Sequence, residues 1–336
     1  MSHIALLIIS LGIILLGAEL FVNGVEWLGK IFNLSEGAVG SVLAAVGTAL
    51  PETLIPIIAI LFSRGGAGVE IGIGAILGAP LMLSTLAMFV TGVAVYIFSK
   101  RRTAGTKVHC DYSSMRRDLL FFIIVYGVAI MAGLIPVSYR IWQVLIALVL
   151  ISAYIWYVRL MLSQERDIES ESFIPPCYFD RQDEIPDTGR VGAQVLVALG
   201  CIVIGAHFFV NAITALAAVY MVPAFVLALI ITPIATELPE KFNSVIWISR
   251  EKDGLALGNI TGAMVFQSSL IPALGILLTD WQLTSGALYS AVLAISASAI
   301  LFVYLQRERR MSALMLLLCG GFYALFLTAV FTGIIT

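Results

Sequence analysis

Apolar runs of roughly 20 residues, the length at which a helix crosses the hydrocarbon core of a bilayer, recur along the whole of this 336-residue chain. Only 12% of the residues are charged and 60% are hydrophobic, giving a mean hydropathy of +1.02. An ordinary soluble domain carries about 25% charged residues, and a globule this poor in charge could not cover its own surface. The sequence therefore specifies an all-α integral membrane protein with the lipid bilayer as its surroundings. Formal net charge is −2, so no basic excess points to nucleic acid. Cys110, Cys177, Cys201 and Cys319 show neither metal-like nor disulfide-like spacing. A soluble enzyme, a nucleic-acid binder and a secreted disulfide scaffold are all excluded.

Ten hydrophobic segments can be marked, near 4–29, 37–62, 69–98, 118–135, 140–162, 191–219, 223–248, 254–277, 284–305 and 312–334. The first follows Met1-Ser2-His3 with no basic region and contains Glu19 and Asn23, so it is expected to persist as a span rather than be cleaved as a signal. About ten transmembrane helices put both termini on one side. Of the 19 lysines and arginines, only Arg64 and Arg140 then fall on that side and Lys241 falls within a span. By the positive-inside rule the remaining basic loops face the cytoplasm and both termini face outside, in a plasma (cell) membrane. The stretch 164–190 holds Glu165, Asp167, Glu169, Glu171, Asp180, Asp183, Glu184 and Asp187 around Pro175-Pro176. It lacks the ligand spacing of a calcium loop and reads as a solvated acidic cytoplasmic linker between two halves, 1–163 and 191–336.

The halves repeat one another. Gly17-Ala18-Glu19-Leu20-Phe21-Val22-Asn23-Gly24 matches Gly205-Ala206-His207-Phe208-Phe209-Val210-Asn211-Ala212 at an offset of 188. The same offset carries Thr48 to Thr236, Pro51 to Pro239 and Glu52 to Glu240. Gly74-Ala75-Ile76-Leu77-Gly78 resembles Gly258-Asn259-Ile260-Thr261-Gly262 at an offset of 184. An odd number of spans per half inserts the copies with opposite orientation. Two inverted five-helix repeats are the usual frame of alternating-access transporters, with the site at the repeat interface.

Glu52 lies within the second span, and Glu237 and Glu240 within the seventh. An ionised carboxylate at mid-bilayer costs roughly 2.5–3.5 kcal/mol on insertion scales, so a cation, a proton or a lysine must offset it. Pro51 and Pro239 precede their glutamates and each frees a backbone carbonyl about four residues earlier. Thr48 and Thr236 lie four residues before those glutamates, on the same helical face. Carboxylate, hydroxyl and freed carbonyl form the hard-oxygen set that calcium and sodium prefer. Asn259 joins them as a neutral ligand, with Gln267, Ser268 and Ser269 as weaker candidates. Glu19, Asn23, His207 and Asn211 are expected to orient the first and sixth helices, and Gly72, Gly74 and Gly78 to serve packing.

These residues resemble the calcium/cation antiporter superfamily, which includes the sodium/calcium exchangers. Its repeats carry a Gly-Thr-Ser-Leu-Pro-Glu stretch followed by Gly-Asn-x-x-Gly-Ser-Asn. Here the first repeat reads Gly47-Thr48-Ala49-Leu50-Pro51-Glu52, and the second reads Ala235-Thr236-Glu237-Leu238-Pro239-Glu240, then Gly258-Asn259-Ile260-Thr261-Gly262-Ala263-Met264. The resemblance implies exchange of calcium against sodium or protons, with Glu52 and Glu240 as the paired metal ligands, small inorganic cations as partners, and no cofactor. It also implies that access alternates by sliding the first and sixth helices.

The departures concern the counter-ion. The family serine is Ala49 in one repeat and Glu237 in the other, and the first-repeat asparagine is Ala75. Glu237 is therefore an extra ligand or a proton carrier. Lys241, four residues after Glu237, either neutralises it or replaces a sodium site. A proton-coupled divalent antiporter without sodium dependence, and a membrane cation-binding protein that does not exchange, stand as alternatives. An intramembrane protease would need two aspartates, or a serine with its base, at helical depth. The aspartates are confined to loops and span edges, and no enzyme is expected.

Overall fold

The computed structural model describes residues 2–32, 49–63, 66–164, 175–181, 185–333 and 335; the side chains of 50, 162–164 and 238–242 lie outside that description. The helices run α1 (His3–Ile31), α2 (Leu50–Phe62), α3 (Gly66–Met82), a π-helical turn Leu83–Ala87, α4 (Met88–Phe98), α5 (Tyr112–Ala132), α6 (Arg140–Gln164), α7 (Thr188–Tyr220), α8 (Ala224–Ser249), α9 (Asp253–Leu278), α10 (Ser285–Glu308) and α11 (Ala313–Phe331). Where water or loops meet the bundle, short polar side chains start the helices. Ser2, Asp111, Asp187, Thr284 and Ser312 each accept a first-turn amide, satisfying donors that no helix can satisfy itself.

Seven stretches among the described residues are long and apolar enough to cross a bilayer: His3–Ile31, Gly66–Phe98, Val137–Met161, Thr188–Tyr220, Asp253–Leu278, Ser285–Glu308 and Ala313–Phe331. Of the expected ten, the spans at 37–62 and 223–248 run into 33–48 and the side chains of 238–242, which lie outside the described residues, so that α2 and the Ala224–Glu237 part of α8 count as shorter apolar pieces; α5 carries Arg116, Arg117 and Asp118 in its first two turns. Large apolar side chains point outward, among them Ile8 and Leu16 on α1, Leu148 and Val149 on α6 and Leu196 on α7. In water such a surface would aggregate; in a bilayer it is the solvated face, while helices satisfy the backbone internally. The chain is an integral membrane protein.

The buried centre lies among α3, α5, α9, α10 and α11, around Phe122, Tyr126, Trp281 and Phe326. There α3 crosses α8 backbone to backbone: a Cβ on Gly74 would overlap Phe225 O, and one on Gly78 would overlap Leu229 O. Membrane helices reach this closeness through small residues at the contact.

The basic 100–117 stretch is no free loop. Its β1 (Lys107–Val108) pairs antiparallel with β2 (Met311–Ser312), a small departure from the all-α expectation. Arg102 closes bidentately on Asp253, Nη1–Oδ1 2.7 Å and Nη2–Oδ2 2.6 Å, and donates to Ile248 O at 2.7 Å. Their side chains are 1% and 2% exposed. Removing one partner strands the other charge, which costs about 3–5 kcal/mol, whereas replacing both with apolar groups is often neutral. Arg102→Met is expected to lower thermal stability in detergent far more than Arg102→Met combined with Asp253→Leu. Equal losses would show that the pair contributes packing alone.

The acidic connector also departs from expectation. Its 175–181 segment is docked on the bundle, with Cys177 and Asp180 buried, because its backbone finds polar partners on α1 and α7.

Candidate functional site

α2 begins after Ala49 with Pro51 in its first turn, where the missing proline amide is one of the unpaired ones anyway. Glu52 thus sits at a helix N-terminus, whose dipole favours a negative charge, and is 7% exposed. Pro56, four residues on, has no amide hydrogen for the Glu52 carbonyl.

α2 packs against both α8 and α9. On α8, Thr236 and Glu237 are each 2% exposed. The Thr236 hydroxyl donates to Thr232 O at 3.1 Å, the backbone bond a helical threonine commonly makes, and its lone pairs remain available as acceptors. On α9, Gln267 donates through Nε2 to Glu237 Oε1 at 3.3 Å. Gln267 Oε1 and Thr232 Oγ1 are buried with no hydrogen-bond partner among the described residues. Leaving such a group unsatisfied costs about 1–3 kcal/mol. A cation, or a proton carried by the neighbouring carboxylate, is the kind of group that relieves an orphan acceptor.

The remaining sequence candidates divide. Asn259 is half-buried, two turns before Gln267 on α9. Ser268 and Ser269 donate to Val265 O at 3.0 and 2.7 Å and so bond their own helix. Thr48 and the side chains of Glu240 and Lys241 lie outside the described residues. Asn23 is buried and hydrogen-bonded, whereas His207 and Asn211 are exposed on α7. The offset of 184 places Leu83 opposite Gln267. Leu83 opens the π-helical turn, where Ser84 donates to Pro80 O at 2.7 Å and Thr85 to Leu81 O. Among the described residues, the side chain that reaches the Glu237 carboxylate therefore comes from α9, whereas Ser84 and Thr85 beside Leu83 bond their own helix.

One cluster escaped the sequence reading. Asp118 lies at a span edge, as expected of an aspartate, yet it is only 5% exposed. Tyr157 of α6 donates to its Oδ1 and Thr261 of α9 to its Oδ2, both at 2.7 Å, and Arg117 Nε lies 3.8 Å away. Bonds to an ionised acceptor are about twice as strong as neutral ones, so Asp118 pins α9 between Asn259 and Gln267. The available signal was a charge beside an apolar run; its partners are remote in sequence.

Acidic side chains buried among proline-bearing membrane helices mark ion-handling membrane proteins. The chain belongs to the sodium/calcium exchanger protein family, which matches residues 2–163 and 191–332. It is 22% identical over 325 residues to the inner membrane protein YrbG of Escherichia coli (strain K12), covering 95% of this chain and 94% of that one. Its fold is similar to the crystal structure of the H+/Ca2+ exchanger CAX, with TM-score 0.76 and 18% identity, covering 98% of this chain and 82% of that one. It is also similar to the sodium-calcium exchanger NCX_Mj, with TM-score 0.58 and 18% identity, covering 97% and 98% of the two chains.

Proposed function

We propose that this protein is a secondary antiporter that exchanges calcium for sodium or protons by alternating access, with no covalent chemistry. The observation that carries the reading is the burial of Glu52 and Glu237 in apolar membrane helices of a chain from the sodium/calcium exchanger family. Ionised carboxylates there are costly unless a cation or proton meets them. In this reading 1–163 and 191–336 form two inverted five-helix halves joined by 164–190, in a plasma membrane with both termini outside. Glu52 and Glu240 hold the divalent ion, helped by Thr48, Thr236 and freed carbonyls, and Asn259 serves the counter-ion. Similarity to both a proton-coupled and a sodium-coupled exchanger fold leaves two counter-ions in play. Proton coupling is the second reading, supported by the carboxylate of Glu237 where the family carries serine.

Radiolabelled calcium uptake into proteoliposomes, under an imposed sodium gradient and then an imposed proton gradient, tests the reading. Uptake that needs one gradient identifies the counter-ion. Uptake that needs neither would make the protein a channel, and no uptake would remove calcium antiport.

A further inference from the structure

The docked connector segment makes a polar joint between α1 and α7. Pro175 O accepts from Trp27 Nε1 at 2.9 Å and Asn23 Nδ2 at 3.2 Å, both on α1. Gln194 of α7 accepts at Oε1 from Phe179 N at 3.0 Å and Cys177 Sγ at 3.2 Å. Its Nε2 donates to Leu20 O at 2.9 Å and Asn23 Oδ1 at 3.0 Å, across to α1. Arg190 of α7 reaches Asp180 Oδ1 at 2.9 Å. Gln194 is 0% exposed and Asn23 4%, so both amides are committed to this joint. Trp27, Cys177 and Val191 pack together beneath the turn.

Away from this joint the two helices touch closely. A Cβ on Gly17 would lie 2.8 Å from Ile202 Cγ1 and 3.0 Å from Ala198 O, and one on Gly205 would lie 2.8 Å from Ile14 Cγ1. Contacts of α1 with α2 and α8 are slight beside its contact with α7. The repeat-mate of Asn23 is Asn211, which is exposed. Among the described residues, the polar joint therefore has no counterpart built on the repeated asparagine.

We infer that the 175–181 turn is a clip, held by Asn23, Trp27 and Gln194, that makes α1 and α7 a single moving body. In the sliding of these two helices that the family resemblance implies, a clipped pair moves as a unit, whereas an unclipped pair is free to separate on part of its strokes. Loss of the clip therefore lowers turnover and leaves ion affinity alone. Asn23, Trp27 and Gln194 are positioning residues in this scheme. The consequence for exchange rests on the antiport reading; the clip itself rests on the geometry.

Cys177, 1% exposed beneath the turn, reports on the clip directly. The full chain carrying Cys110→Ala, Cys201→Ala and Cys319→Ala serves as reference, with Cys177 labelled by a membrane-impermeant maleimide in proteoliposomes opened to both faces. Gln194→Leu removes four hydrogen bonds, and Trp27→Phe removes one while keeping a smaller aromatic ring. Cys177 is expected to be protected in the reference and to react at least about tenfold faster in Gln194→Leu, the factor that corresponds to 1.4 kcal/mol. Trp27→Phe gives a smaller increase and stands in if Gln194→Leu fails to fold. The maximal rate of gradient-driven calcium uptake falls in step with the labelling, and the half-saturating calcium concentration stays unchanged. A freely reactive Cys177 in the reference, or released labelling with an unchanged maximal rate, or a change in half-saturation alone, would overturn the inference. If the reference moves no calcium under any gradient, the antiport reading fails by itself; the labelling still decides the clip, upheld by protection that both variants weaken and overturned by its absence.

Discussion

Glu52→Gln is expected to abolish calcium exchange and to leave the folded protein at least as stable as its parent. The two effects have opposite signs because the charge has opposite roles in folding and in binding. Removing a mid-bilayer charge relieves roughly 2.5–3.5 kcal/mol on insertion scales. The helix-dipole interaction forfeited in the first turn of α2 is worth about 0.3–1 kcal/mol, up to about 2 kcal/mol in a partly buried site, so relief prevails. Glutamine keeps the volume and one acceptor oxygen. Against the cargo, loss of one member of a buried charge contact costs about 2–5 kcal/mol, a fall of roughly 30-fold to several thousand-fold. Glu240→Gln should behave alike, because the repeat makes it the mate of Glu52. Calcium uptake in proteoliposomes beside thermal unfolding in detergent separates the roles. Parental uptake in both variants would make these carboxylates structural and remove them from the site.

The ranges of the helices were largely legible because lipid forces length and apolarity together: the segments marked at 140–162 and 254–277 lie within α6 and α9, and the one at 284–305 starts at the residue that caps α10. Helix starts were legible in principle too, since Asp187, Thr284 and Ser312 stand just before apolar runs and cap them. What stayed hidden is the polar pairing between distant segments. Arg102 meets Asp253, Asp118 meets Thr261 and Gln194 meets Asn23, and each of these residues has an ordinary local reading as a loop charge, a span edge or an isolated polar group. The connector shows the same limit: its acidity signals solvent, yet the segment 175–181 carries Pro175 O into part-buried contacts and Cys177 into a buried one. Among the candidate ligands, the repeat pointed to Glu52 and Thr236, which are buried, and to Thr48 and the side chain of Glu240, which lie outside the described residues. It did not point to the pairing of Glu237 with Gln267, because Glu237 departs from its own repeat-mate Ala49 and Gln267 from Leu83.

That same departure sets the second prediction. Glu237→Gln is expected to flatten the pH dependence of calcium uptake while preserving the site around it. Glutamine retains an oxygen for Gln267 Nε2, now 3.3 Å from Glu237 Oε1, and brings an amide donor beside the orphan Gln267 Oε1. It stands in for a carboxyl that stays protonated. On the proton-coupled reading, a proton and calcium compete for Glu237 in the parent, so the half-saturating calcium concentration is expected to rise as pH falls. For one competing proton the rise approaches about tenfold per pH unit below the pKa of the ion-free carboxyl, by the same linkage that ties proton uptake to stability. In the variant that slope disappears and a proton gradient no longer drives uptake, whereas calcium still binds through Glu52 and Glu240. A sodium-driven parent would instead keep its sodium dependence in the variant. Half-saturation measured at several pH values, in parent and variant, decides it. Identical slopes in the two proteins would make the Glu237–Gln267 pair a helix-to-helix tie with no part in coupling.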